Sequence, residues 1–141
     1  MTDLYEESIR CPSCNQSQNV TVYKSINVTL DPNLRESLFD GQINIFKCNE
    51  CGQEAFIPIP LLYHDMERQF CVCYYAPENL EHEGFYDQFN SNGELAGFEE
   101  MLQGSEKTGD YLVKPYIVFD MKDMIYLILF REALFQKHND T

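Results

Sequence analysis

Cys11-Pro12-Ser13-Cys14 and Cys48-Asn49-Glu50-Cys51-Gly52 are the two stretches that decide the fold of this chain. Each has two residues between its cysteines, and this spacing lets both sulfur atoms of one turn point at a single metal ion. Two such pairs supply the four ligands of a tetrahedral structural zinc site. The sequence therefore predicts that zinc is bound by Cys11, Cys14, Cys48 and Cys51.

The residues beside these cysteines suit tight turns. Pro12 fixes a turn dihedral in the first pair, and Gly52 permits the positive φ that closes the second. The alternative interpretations are redox thiols or a chance match. Because four cysteines complete the coordination of zinc, no position stays open for water or substrate. We therefore expect a structural metal, no catalytic residues and no enzymatic activity.

The segment between the cysteine pairs reads as a strand, a short helix and a return to β structure. Apolar residues share one parity over Asn19–Leu30, which is typical of a half-buried strand or hairpin. Asp31 is predicted to cap a helix over Pro32–Asp40, with proline at the first helical position. Gly41 is placed where a left-handed residue ends a helix.

Three further strands follow the second cysteine pair. Ala55–Tyr63 contains Pro58 and Pro60, so it is predicted to be an edge strand or an extended segment. Gln69–Tyr75 is apolar at both parities, which is typical of a strand buried on both faces. Tyr116–Asp120 is predicted to be the last strand.

A helix is predicted from Met121 to about Lys137, capped by Asp120. Five apolar residues are expected to face the body of the protein: Met124, Ile125, Ile128, Leu129 and Phe135.

The predicted fold class is α+β: a zinc-ribbon-like antiparallel β region with a short inserted helix, and a C-terminal helix packed on the sheet. We expect one domain over residues 1–141. It comprises a core at 9–78, an acidic, loop-rich segment at 79–115 with a helical turn at Gly97–Gln103, and a final strand and helix at 116–138.

The charge of the chain restricts its partners. Ten Lys and Arg face 23 Asp and Glu, which gives a formal net charge of −13. Affinity for phosphate backbones and anionic lipids comes from clustered basic residues, so we expect no direct nucleic-acid binding and no membrane association. The N-terminus shows no export signal and no apolar run spans a bilayer, so a cytoplasmic location is expected.

The cysteine pairs and their surroundings resemble the CpXC domain family of bacteria and archaea. The similarity rests on Cys11-Pro12-x-Cys14, Asp31-Pro32 with a short helix, Cys48-x-x-Cys51-Gly52 and Leu62-Tyr63-His64-Asp65. It covers residues 9–78 well and the C-terminal region more loosely. Asn49 stands where the family carries a second proline, but all four sulfurs are present. The resemblance supports zinc binding and implies no mechanism.

Two other features leave alternatives open. Cys71 and Cys73 are either small buried residues, a redox pair, or a nucleophile with His64 and Asp65 as base and orienting group. The segment at 88–99 partly matches a calcium-binding EF-hand loop, but Gln88 stands where Asp is expected, and Asn-Ser-Asn-Gly also suits a plain turn.

The leading functional hypothesis is a non-enzymatic structural-zinc protein that acts as a protein–protein interaction module. The alternative is an acidic nucleic-acid mimic or transcription-linked regulator, followed by a cysteine-dependent enzyme. Phe85, Tyr86 and Phe89 are either contact residues or a small core under a long loop. A homodimer through the C-terminal helix is also considered, with three apolar residues as its contacts: Tyr126, Leu127 and Phe130.

Overall fold

A computed structural model describes residues 2–94, 111 and 114–139. Its elements, in chain order, are β1 (Asp3–Arg10), β2 (Ser17–Asn27), α1 (Asn33–Phe39), β3 (Ile45–Lys47), β4 (Glu54–Phe56), β5 (Leu61–Asp65), β6 (Phe70–Tyr74), a 3₁₀ helix (Pro77–Glu81), α2 (Glu83–Tyr86), β7 (Tyr116–Val118) and α3 (Met121–Asn139). The predicted α+β class is confirmed.

The larger sheet has five strands in the order β1-β2-β5-β6-β7, and β3 and β4 form a second, two-stranded sheet. The antiparallel region predicted around the cysteines is present as the β1–β2 and β3–β4 pairs. The larger sheet is mixed, however, because β2 pairs with β5, and β6 with β7, in parallel. Long connections precede both β5 and β7, as parallel pairing requires. Strand β1 was not predicted.

Strand β6 confirms the buried strand predicted at Gln69–Tyr75, since all its residues are buried. One face carries Phe70, Val72 and Tyr74, which join the main core with Met124 and Ile128 of α3. The opposite face carries Cys73, which packs in a second cluster under α2. A strand covered on both faces needs apolar residues at both parities, and the sequence shows that pattern.

The second cluster decides between the two interpretations of the aromatic residues near α2. Phe85 is buried and lies edge-on to Tyr75, with ring centroids 4.9 Å apart, and Phe89 packs against the same cluster. Tyr86 is exposed. Phe85 and Phe89 are therefore core residues rather than a contact surface.

The predicted edge strand Ala55–Tyr63 is wrong as a single element. Its first residues belong to β4, and its last residues begin β5 in the middle of the larger sheet. Pro58 and Pro60 lie in the connection between the two sheets, where no ladder hydrogen bond is required of them. Leu61–Asp65 contains no proline, so β5 can pair on both sides.

The start of α1 differs from the prediction in one detail. Asp31 does not cap the helix with its side chain, because that carboxylate accepts a hydrogen bond from Thr2 at 2.7 Å. Its backbone carbonyl instead accepts from the N–H of Leu34 at 3.0 Å. At the other end Gly41 has a φ of +72°, as predicted for a left-handed residue that ends a helix.

Helix α3 begins as predicted, since the Asp120 carboxylate accepts a hydrogen bond from the N–H of Lys122 at 2.7 Å. Met124 and Ile128 are buried against the sheet, which confirms the predicted packing. Leu129 was expected to face the body, but it is 42% exposed. Its position on the helix lies about 100° from Ile128 and so outside the buried stripe. In the described part of the chain, none of the helices combines the length and the hydropathy of a membrane span.

One predicted element, a helical turn, falls on residues that the structure does not describe. The helical turn at Gly97–Gln103 lies outside the described residues. The last strand is shorter than Tyr116–Asp120, because β7 ends at Val118. The domain boundaries at 78 and 115 stay predictions.

Asn44 joins the two sheets. Its side-chain oxygen accepts from the backbone N–H of Tyr23 at 2.8 Å, and its amide nitrogen donates to the Tyr23 carbonyl at 3.0 Å. Its backbone carbonyl accepts from Ile57 at 2.8 Å. The residue is buried and has a φ of +55°, a conformation that asparagine tolerates better than most residues. The Asn44 side chain therefore pairs with the backbone of β2 at Tyr23, as a neighbouring strand would.

We predict that Asn44→Ala lowers the free energy of unfolding by about 2 to 4 kcal/mol, because both backbone groups of Tyr23 lose a partner. Urea denaturation of the metal-loaded protein measures the change. Asn44→Gly removes the same hydrogen bonds but adopts the positive φ without strain. If the hydrogen bonds dominate, this variant should be destabilised almost as much as Asn44→Ala. Asn19→Ala, on the exposed face of β2, is the control and should stay within about 0.5 kcal/mol. A near-neutral Asn44→Gly would contradict the hydrogen-bond account.

Candidate metal centre

The two cysteine pairs fold into turns of the same geometry, which we call the first knuckle (residues 11–16) and the second knuckle (residues 48–53). In each, the N–H of the first cysteine donates to the carbonyl five residues later, at 2.8 Å for Cys11 and 2.9 Å for Cys48. The carbonyl of that cysteine accepts from the N–H four residues later, at 2.9 Å in both knuckles. The two knuckles are therefore local structural repeats.

Each knuckle needs one residue with positive φ, at the fourth position after its first cysteine. In the second knuckle this residue is Gly52, with a φ of +76°, as the sequence predicts. In the first knuckle it is Asn15, with a φ of +64°. Sequence reasoning missed Asn15, although asparagine is the side chain that most readily replaces glycine in this conformation.

The fold brings all four predicted ligands together. The Sγ atoms of Cys11, Cys14, Cys48 and Cys51 lie within 4.8 Å of one another. Two contacts cross between the knuckles, Cys11 to Cys51 at 3.6 Å and Cys14 to Cys48 at 3.5 Å. A tetrahedral site with metal–sulfur bonds of about 2.3 Å has neighbouring sulfurs about 3.8 Å apart. The four cysteines therefore fit a metal ion, and they are the one such cluster among the described residues.

The site is closed on its inner side. Cys11 and Cys48 are buried with Phe46 in a small apolar cluster, and Ile9, Val20 and Ile57 pack around it. Cys14 is half-buried and Cys51 is exposed. The metal position therefore lies between an apolar core and the surface, and all four ligands come from this chain.

The electrostatics of the four thiols favour a cation. Backbone N–H groups of Cys51 and Glu50 donate to the sulfur of Cys48 and lower its pKa to about 6. The N–H of Gln16 also lowers the pKa of Cys14, but burial and the neighbouring sulfurs outweigh it and raise that pKa to about 12. Four thiolates so close together repel one another, and a divalent cation removes that repulsion.

Gln18 holds the second knuckle against β2. Its amide nitrogen donates to the carbonyl of Lys47 at 2.7 Å, and its oxygen accepts from the N–H of Asn49 at 2.9 Å. The side chain therefore binds the backbone on both sides of Cys48. Sequence reasoning missed this residue, because nothing local distinguishes it from other exposed amides on a strand.

The second group of thiols lies elsewhere in the sheet. Cys71 lies opposite His64 in the β5–β6 register, and both contact Tyr111. The His64 ring hydrogen-bonds to the Tyr111 hydroxyl, and the Cys71 thiol donates to the Tyr111 carbonyl at 3.1 Å. Burial raises the pKa of Cys71 and of Cys73 to about 12, so both sulfurs are held as neutral thiols.

Asp65 does not orient His64. Its carboxylate accepts from the guanidinium of Arg68 at 2.8 Å and lies 3.4 Å from the Thr29 hydroxyl. Neighbouring residues on a strand point to opposite faces, so the Asp65 side chain leaves the sheet on the other side from His64. The nucleophile–base–orienter arrangement considered from sequence is therefore not formed.

The possible calcium loop is described only as far as Glu94. There the chain makes a turn, in which the N–H of Asn90 donates to the Glu94 carbonyl at 2.7 Å and Asn92 accepts from the N–H of Glu94. The Glu94 carboxylate pairs with Lys114 at 3.4 Å. The remaining positions, 95–99, lie outside the described residues.

Comparison with known protein families gives a match. A family model described as CpXC protein matches residues 9–137, nearly the whole chain. The match therefore extends well beyond residues 9–78, where most of the motifs that carry the resemblance lie. No curated protein and no solved structure matches the chain.

We predict that Gln18→Ala weakens metal binding about tenfold, because the second knuckle loses the side chain that fixes the backbone around Cys48. Competition between the protein and a chromophoric chelator for Co²⁺ measures the affinity. Gln16→Ala is the matched control, since that side chain is exposed at the last position of the first knuckle. Equal affinities for the two variants would remove the role assigned to Gln18.

Proposed function

The chain belongs to the CpXC family, and on that premise we propose that it is a non-enzymatic protein whose structural zinc ion organises a protein–protein interaction module. The observation that carries the proposal is the convergence of the four cysteine sulfurs within 4.8 Å. Zinc is the metal of choice because four thiolates in tetrahedral arrangement suit it, whereas magnesium and calcium prefer oxygen ligands.

The zinc is structural in this proposal because the protein supplies all four ligands. A catalytic zinc keeps one position for water or substrate, and here no position is left. The ion would instead fix the two knuckles and the apolar cluster of Cys11, Phe46 and Cys48. A reducing compartment keeps cysteines available as thiolate ligands, which agrees with the cytoplasmic location that we propose.

The thiols outside the metal centre support the non-enzymatic part of the proposal. A nucleophilic cysteine needs a lowered pKa and access to substrate, but burial raises the pKa of both Cys71 and Cys73. Burial also lowers the pKa of His64, so its ring is neutral at physiological pH. Both cysteines act in this account as small residues of the core.

An interaction role needs an accessible surface, and apolar side chains on α3 offer one. Tyr126 and Phe130 are exposed there, on the side of the helix that faces away from the sheet. The alternative, an acidic nucleic-acid mimic or regulator, rests on the net charge of −13. Partners recovered from the native cell separate the two, since a mimic binds basic proteins and releases them at high salt.

We predict one zinc ion per chain in protein purified without added metal, measured by elemental analysis. Cys48→Ser should lose most of that zinc, because it removes a ligand. Cys73→Ala is the matched control: it should keep full zinc content and cost about 1 to 2 kcal/mol of stability through lost packing. The proposal would be refuted by zinc-free protein in which all four knuckle thiols react freely.

We also predict that a strong chelator loosens the protein in a fixed order. Hydrogen exchange should rise first in the two knuckles and in β3, because the ion holds these elements, and later in α3, which packs on the main core. Peptide-resolved exchange by mass spectrometry follows both regions in one experiment. Simultaneous loss of protection in the knuckles and in α3 would contradict a local role for the metal.

A further inference from the structure

Helix α3 carries a row of accessible residues on the face opposite its buried side. Tyr126 is 66% and Phe130 57% exposed, and Ala133 is also exposed. These residues follow one another at spacings of four and three, so they line one side of the helix. We call this row the outer stripe. Met124 and Ile128, which are buried, lie on the other side.

The outer stripe is unusual for a helix on a protein surface. Such a helix normally turns apolar residues toward the core and polar residues toward water, whereas a helix that is apolar all round is buried. Here two aromatic side chains occupy the middle of the outer face. An exposed apolar row of this kind is a candidate interaction site.

The ends of the outer stripe carry opposite charges. Asp123 lies about two helical turns before Phe130, and Lys137 lies about two turns after it, both on the same face. Neither side chain forms an ion pair with another described residue. Phe130 is therefore the midpoint of a row that begins with a carboxylate and ends with an ammonium group.

From this arrangement we propose that the outer stripe docks against the outer stripe of a second copy, with the two α3 helices antiparallel about a two-fold axis near Phe130. This inference rests on the proposed function and names its partner. A two-fold contact requires a surface that is complementary to itself. Antiparallel helices bring the Asp123 end of one copy beside the Lys137 end of the other, twice.

The charges on the stripe itself favour a second copy over a partner that offers only an apolar surface. Each chain carries a net charge of −13, so two copies repel each other overall, and only locally matched charges in the contact can offset part of that repulsion. The stripe supplies that match with an apolar centre, which has no charge to desolvate, and one attractive pair at each end. A partner without a complementary pair of charges would gain only the apolar contact.

Sedimentation velocity of the full-length, zinc-loaded chain over about 1 to 100 µM tests the proposal. We expect a concentration-dependent dimer for the native sequence. Phe130→Asp should abolish it, because the substitution places two carboxylates together at the axis. Leu30→Asp is the matched control, since Leu30 is similarly exposed, at 60%, in the turn after β2. Zinc content and melting temperature show whether each variant is folded.

Charge reversal tests the antiparallel orientation. Asp123→Lys should weaken the dimer roughly tenfold, because it meets Lys137 of the second copy. If overall repulsion alone decided association, the same change would strengthen the dimer, because it makes each chain less negative. The double variant Asp123→Lys with Lys137→Asp should restore association. Both changes oppose the helix dipole, so restoration cannot come from a more stable helix.

Three results would overturn the inference: a monomer at all concentrations, a dimer that survives Phe130→Asp, or a double variant no better than Asp123→Lys. The proposed function fails separately, through its zinc content. A zinc-loaded monomer that captures a different protein through α3, with capture lost in Phe130→Asp, would keep the interaction module and refute the second copy.

Discussion

Four cysteine sulfurs held within 4.8 Å of one another impose the constraint on which the N-terminal half of this chain depends. The sulfurs come from two knuckles separated in sequence by β2, α1 and β3, so gathering them closes a long loop and costs chain entropy. Their mutual repulsion adds to that cost. A divalent cation bound by these sulfurs would reverse the balance, because it would remove the repulsion and join the two knuckles at the same time.

The constraint reaches the rest of the protein through two amide side chains. Gln18 fixes the backbone on both sides of Cys48 to β2, and Asn44 pairs with both backbone groups of Tyr23. Together they dock the two-stranded sheet beside the larger one. The ladder hydrogen bonds of β3 and β4 do not extend to the larger sheet. These contacts cover the apolar cluster around Phe46, while the main core lies between the larger sheet, α1 and α3.

Sequence reasoning succeeded where the signal is local. The cysteine spacing, the positive φ at Gly52 and Gly41, the cap at Asp120 and the two-sided burial of β6 all follow from a few neighbouring residues. It failed where the cause is distant. Asp31 turned from its helix to Thr2, and the two amides, Gln18 and Asn44, have partners far away in the chain. The parallel pairing of β2 with β5 likewise depends on which strands meet, and alternation alone does not encode that.

The C-terminal helix illustrates how one pattern can serve two surfaces. An apolar run from Met124 to Phe130 predicts a helix that packs on the body, and Met124 and Ile128 do so. The same run leaves Tyr126 and Phe130 outside, because seven consecutive residues go round a helix almost twice. Burial in the monomer explains the inner residues only. The outer aromatics contribute nothing to that core, and a second surface that covers them would remove their apolar area from water. In the dimer that we propose, that surface is the same stripe of a second copy, with Asp123 of each copy beside Lys137 of the other.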